Sequence, residues 1–171
     1  MSTFSRLIFN RPSNCLISYE GFIGTDLQPF ETLNFREISS AASEIREIVL
    51  PGENARLQSA VTNAKHPVIF VNEWIIKGTG LDWRAISAIH LPDGTRTQLV
   101  DSGSIKLPSS CTRGWVSEIA SAEDDGKTLV CRMAFQYPTR PGCSEVKYCL
   151  GELDVETGES RILVEMPNVF F

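Results

Sequence analysis

Lys127-Thr128-Leu129-Val130-Cys131 and, after a polar stretch, Tyr148-Cys149-Leu150-Gly151-Glu152-Leu153-Asp154-Val155 decide the fold. A turn, Glu156-Thr157-Gly158, and a short apolar run, Ile162-Leu163-Val164-Glu165, complete the segment. The same statement stands earlier in the chain. Pro67-Val68-Ile69-Phe70-Val71 is followed by Ala85-Ile86-Ser87-Ala88-Ile89-His90-Leu91, the turn Pro92-Asp93-Gly94, and Gln98-Leu99-Val100-Asp101. A shift of about 64 positions lays Ala85 on Cys149, Ser87 on Gly151, Ile89 on Leu153, Leu91 on Val155 and Gly94 on Gly158. Repetition of this length signals stacked copies of one supersecondary unit, each burying its apolar face against a neighbour.

Within the copies the hydrophobic signal has period two. Leu129, Cys131, Met133 and Phe135 fall on one side, with Thr128, Val130, Arg132 and Ala134 on the other; Cys149, Gly151, Leu153 and Val155 oppose Tyr148, Leu150, Glu152 and Asp154. Such alternation marks half-buried strands. Asp93-Gly94, Asp125-Gly126 and Thr157-Gly158 place a residue tolerant of positive φ between runs, as hairpins require. The last copy (114–165) then holds strands at 115–121, 127–135, 146–155 and 160–165, and the middle copy (54–101) at 56–62, 67–74, 84–91 and 95–101. A degenerate first copy (3–50) is drawn from 5–9, 14–19, 33–38 and 44–50. Residues 38–49 also fit a short amphipathic helix, but the repeat favours strands. The Ser- and Pro-rich residues 102–113 link the second and third copies, and the apolar Val169-Phe170-Phe171 is available as a further strand. The expected fold class is all-β: one domain, 1–171, of three antiparallel four-stranded repeats.

The last copy resembles the blade repeat of TolB-type propellers, also called WD40-like repeats. The residues carrying the resemblance are Ser121-Ala122-Glu123-Asp124-Asp125-Gly126-Lys127-Thr128-Leu129-Val130 and Gly151-Glu152-Leu153-Asp154-Val155-Glu156-Thr157-Gly158-Glu159. In that family a Ser-Pro-Asp-Gly-Lys-like turn precedes an apolar strand, and a later strand ends in Asp before a Thr-Gly-Glu-like turn. Here Ala122-Glu123 replaces the Pro-Asp step, and Ala64-Lys65-His66-Pro67 stands where the middle copy would carry Asp-Gly. The resemblance implies propeller blades and no particular chemistry. Propellers close with four to eight blades, so three expose two blade faces. A homodimer closing a six-bladed ring is the expected solution; a prism of three sheets and a partner chain covering the free faces are the others.

Composition narrows the function classes. Hydrophobic residues at 42% and charged residues at 22% are ordinary for a globular protein. A net charge of −5 disfavours binding to nucleic acid, which needs clustered Lys and Arg, and leaves open a basic protein partner. No run is long and apolar enough to cross a bilayer, and the first residues carry no signal-peptide core, so the expected location is the cytoplasm and no membrane contact. Cys15, Cys111, Cys131, Cys143 and Cys149 are odd in number and lack a Cys-x-x-Cys pair, which reads as reduced thiols; a Cys143–Cys149 disulfide across one loop is the alternative.

No catalytic constellation, metal set or cofactor loop emerges. His66 and His90 lack paired-ligand spacing and read as turn and strand-surface residues. Gly-x-Ser-x-Gly is absent, and Gly78-Thr79-Gly80 is not followed by Gly-Lys-Ser/Thr. Glu123-Asp124-Asp125 reads as turn chemistry rather than a calcium loop. The candidate binding residues are aromatic and arginine side chains near loops, the types that dominate interface hot spots: Trp74 and Trp83, Arg113 and Trp115, and Tyr137 and Arg140 around an ordered excursion at 136–145. The leading expectation is a non-catalytic protein-binding module, one version being a small immunity or inhibitor protein that caps a toxin or enzyme. The alternative is a ligand-binding or hydrolytic domain with its site at the centre of a closed, dimeric six-bladed ring.

Overall fold

A computed structural model describes residues 2–23, 32–37, 45–49, 55–76, 82–91 and 93–167. They form strands and turns, with no helix among them. In order these are β1 (Ser2–Asn10), β2 (Cys15–Ile23), β3 (Thr32–Glu37), β4 (Ile45–Val49), β5 (Ala55–Thr62), β6 (Val68–Ile76), β7 (Asp82–His90), β8 (Arg96–Asp101), β9 (Arg113–Ala122), β10 (Thr128–Arg140), β11 (Cys143–Asp154) and β12 (Ser160–Met166). They pair as three antiparallel four-stranded meanders, β1–β4, β5–β8 and β9–β12. The degenerate first copy therefore does build a four-stranded sheet. Its fourth strand takes residues that also fit a helix; residues 38–44 and 168–171, and with them the possible terminal strand, lie outside the described residues.

The repeat extends to irregularities of the ladder. Ile86 pairs with Val100 and Ser87 with Gln98, a bulge between them; in the third sheet Leu150 pairs with Val164 and Gly151 with Ile162, with the same bulge. A bulge at matching positions re-aims both outer strands alike, so the two sheets share shape as well as pattern.

The sheets stack in chain order, β1 lying beside β5 and β5 beside β9. Val68, Phe70, Ile86, Ala88 and Val100 of the second sheet mesh with Leu129, Cys131, Met133, Phe135 and Leu153 of the third to form the main core. Each large apolar side chain fully buried there contributes about 1.5–3 kcal/mol. The opposite face of β6 is buried too, with Ile69 and Val71 at 0% exposure. A strand covered on both faces needs a continuous apolar run, which is why Val68-Ile69-Phe70-Val71 does not alternate. β10 does alternate: Leu129, Cys131 and Met133 are buried, whereas Val130 and Arg132 are half-buried. One face of the third sheet is covered and the other is open.

Side-chain links join successive sheets at equivalent positions. Asn10, the last residue of β1, donates from Nδ2 to the Asn63 carbonyl at 3.2 Å. Asn63, at the end of β5, donates from Nδ2 to the Glu123 carbonyl at 2.6 Å. Both Asn side chains are fully buried, and both use Oδ1 to cap their own turn: Asn10 accepts from Ser13 N, Asn63 from Lys65 N and His66 N. Midway along the strands, Asn72 Nδ2 donates to the Val116 carbonyl and Ile119 N donates to Ser59 Oγ.

Two expectations change. The stretch 136–145 is no excursion: β10 and β11 continue as a hairpin to Arg140 and Cys143, turning at Pro141-Gly142. β9 stops pairing at Arg113 opposite Gln136, so Pro138 sits in a two-stranded ribbon on the free edge of β10, where a missing N–H is tolerated. All five cysteines are free, and Cys143 and Cys149 lie along one strand, the first exposed and the second buried, rather than across a loop. Burial pushes the Cys131 thiol up to about 12. The linker is not loose either, since Ile105 is buried in the main core.

Candidate interaction site

At the end of the second and third sheets opposite the asparagine links, β6 and β9 place Trp74 and Trp115 on either side of Arg84. The Arg84 guanidinium lies 5.6 Å from each ring centroid, and Arg113 lies 5.7 Å from the Trp115 ring. The four side chains form one Arg–Trp stack, each member half-exposed. Guanidinium over indole at this range is a cation–π contact. Arg84 is also tied to Gln58 Oε1 at 3.0 Å and to the Val116 carbonyl, so the stack is anchored to both sheets. Arginine and tryptophan held on rigid strands lose little freedom on binding, which suits them to a hot spot.

Three of the residues singled out in the sequence, Trp74, Arg113 and Trp115, thus meet. Arg84, which holds them together, was not among them; its signal is its place beside Trp83 on a strand that pairs Arg84 with Trp74. The Trp83 side chain lies outside the described ones. Tyr137 and Arg140 belong elsewhere, on the β10–β11 ribbon. Tyr137 packs against the main core with Lys147 5.4 Å above its ring, and burial raises its hydroxyl pKa; Arg140 is exposed at the ribbon tip.

Two concavities flank these sheets. An open groove of about 1030 Å³ runs where the ends of β1, β5 and β9 converge, lined by Ile8, Phe9, Arg11, Thr62, Glu118 and Ser121 among others. A smaller pocket of about 330 Å³ lies between the second and third sheets, with Phe70, Ala88 and Val155 on its floor and both histidines, His66 and His90, on its rim. The pairing of β6 with β7, which sets Val68 opposite His90 and ties Leu91 N to the Pro67 carbonyl, brings the two imidazoles to one pocket.

The acidic turn does the work of a turn. Asp125 accepts from Lys127 N, Thr128 N and Thr128 Oγ. The Thr128 hydroxyl first, then these backbone donors, hold its carboxyl down at about 2. Among the described residues no group of three or more His, Cys, Asp and Glu is disposed to hold a metal ion. Glu73, the one fully buried carboxylate among the described residues, is held by Arg96 through two guanidinium contacts and by Ser87 Oγ at 2.8 Å.

No protein-family model matches this chain, and no curated protein matches it. The described residues define an all-β protein of three four-stranded antiparallel sheets. No helix among the described residues is long and apolar enough to cross a membrane.

Proposed function

We propose that this chain is a non-catalytic protein-binding module built from propeller-like blades, and that the Arg–Trp stack of Trp74, Arg84, Trp115 and Arg113 is its contact surface. The stack itself carries the reading: two indoles and two guanidinium groups gathered from two sheets and left half-exposed. The types match interface anchors, and the sheets beneath hold them rigid. The blade reading is supported by three meanders stacked in order with their first strands adjacent. The two arginines suit a partner that presents carboxylates or carbonyls here, while the net charge of −5 favours a partner that is basic elsewhere. An inhibitor or immunity role in the cytoplasm is the concrete version consistent with this size and charge.

The test is capture of a partner from the native host with the wild-type chain and with Arg113→Glu and Trp115→Ala. A species held by the wild type and lost from both variants, each still folded by circular dichroism, supports the reading. A species retained equally by all three rules out the stack as the contact. The groove at the converging ends of β1, β5 and β9 favours a second reading, a ligand bound on the axis of the stacked sheets, which soaking and displacement of small polar ligands would reveal.

A further inference from the structure

We propose that the open face of the third sheet docks onto the first sheet of a second copy of this chain, repeating between copies the step that joins the sheets within one. The inference does not rest on the Arg–Trp stack, although this face reaches it: Trp115 pairs with Ala134 in the row that runs on to Tyr148 and Met166.

The repeat says which residues the step uses. On the second sheet, Phe70, Ile86 and Val100 are each no more than 3% exposed because the third sheet covers them. By ladder register their counterparts on the third sheet are Val130, Leu150 and Val164. These face outward: Val130 and Leu150 are half-buried, and Val164 is 57% exposed. Met166, opposite Tyr148 on the same strand, adds to this apolar surface. Asn72 spans the internal step by donating to the Val116 carbonyl. Its counterpart, Arg132, stacks on Tyr148 at 4.9 Å, and its buried Nε has no hydrogen-bond partner among the described residues. A buried donor left without an acceptor is costly, and a first strand laid against this face would supply a carbonyl to it.

Charge selects the occupant. Within the chain, Lys65 of the second sheet pairs with Asp124 of the third at 2.8 Å, next to the Asn63–Glu123 link. In the first sheet the position matching Asp124 carries Arg11, exposed and without an ion pair among the described residues. At the open end, Glu123 takes the place of Asn10 and Asn63, and its carboxylate likewise has no ion pair there. The asparagine link cannot be made a third time, because a carboxylate does not donate. An ion pair between Glu123 and Arg11 of a second copy replaces it, with the signs of the internal pair reversed. Two such contacts, related by a two-fold axis, bring six sheets around the groove that β1, β5 and β9 line.

The experiment is sedimentation of the full chain at micromolar concentration in wild type, Glu123→Arg, Arg11→Glu, the double exchange, and Val164→Asp. A dimeric wild type is expected, with association weakened roughly a hundredfold in each single charge reversal and recovered in the double exchange. Val164→Asp is expected to dissociate without rescue. Circular dichroism confirms that each variant is folded, which these exposed sites allow. A monomeric wild type overturns the proposal; so does a dimer indifferent to Glu123 and Arg11, or single variants that the exchange does not rescue.

Discussion

Asn63 donates to the carbonyl of Glu123 across the seam between the second and third sheets, as Asn10 donates to Asn63 across the seam before it. The residue that receives from one sheet thus gives to the next. Asn63→Asp keeps the Oδ acceptor that caps the turn but removes the donor to Glu123, and it buries a charge in the seam. A loss of about 1–3 kcal/mol is expected, read from urea unfolding. Lys65→Ala, which breaks only an exposed ion pair, is expected to cost less than about 1 kcal/mol.

The buried Glu73–Arg96–Ser87 cluster has an apolar counterpart in the same molecule. Ladder register sets Met133, Gly151 and Ser160 at the matching places, and Met133 lies directly over Gly151. Arg96→Ser alone leaves a carboxylate buried without its cation, at an expected cost of about 3–5 kcal/mol. The triple change Glu73→Met, Ser87→Gly, Arg96→Ser copies the third sheet's solution and is expected to regain most of that loss. A triple variant no more stable than Arg96→Ser in urea titration would mean that the two sheets are not equivalent here.

Asp125 is held below its ordinary 3.8, at about 2, by the Thr128 hydroxyl and two backbone donors. Because the folded value is depressed, the stabilisation is complete above about pH 4 and is lost as pH falls through about 2. Asp93 and Asp154 are lowered in the same direction, chiefly by the backbone N–H groups of Thr95 and Thr157. Thr128→Val is expected to raise the Asp125 pKa in an NMR titration and to destabilise the protein at neutral pH. That difference should shrink towards pH 2; a constant difference across the range would assign the effect to strand packing.

Two turn glycines separate backbone strain from crowding. Gly142 has φ of 78° with open space where a Cβ would stand, so Gly142→Ala meets strain alone, about 1–2 kcal/mol. Gly158 has φ of 71°, and a Cβ there runs into the Ser104 carbonyl. Gly158→Ala is expected to lower Tm more than Gly142→Ala, and equal shifts would show that the linker at Ser104 moves aside.

The sheets were legible because period-two runs and Asp-Gly turns are local signals, and even the first copy's strands lay close to where β1–β4 form. The seam asparagines were not, because Asn10 and Asn63 read as ordinary turn residues until two sheets are stacked. The same holds for Arg84, whose two tryptophans come from different sheets. The hairpin at 136–145 is not legible because its two prolines suggest an excursion, whereas a strand beyond the reach of β9 tolerates them. Long-range placement, rather than residue type, separates what the sequence tells from what it withholds.

The central claim is that the third sheet's outer face is built to be covered by another sheet, and the mass of the unmodified chain in solution tests it most directly. Light scattering at micromolar concentration is expected to give twice the 19.0 kDa of one chain. A mass of one chain throughout that range would contradict it.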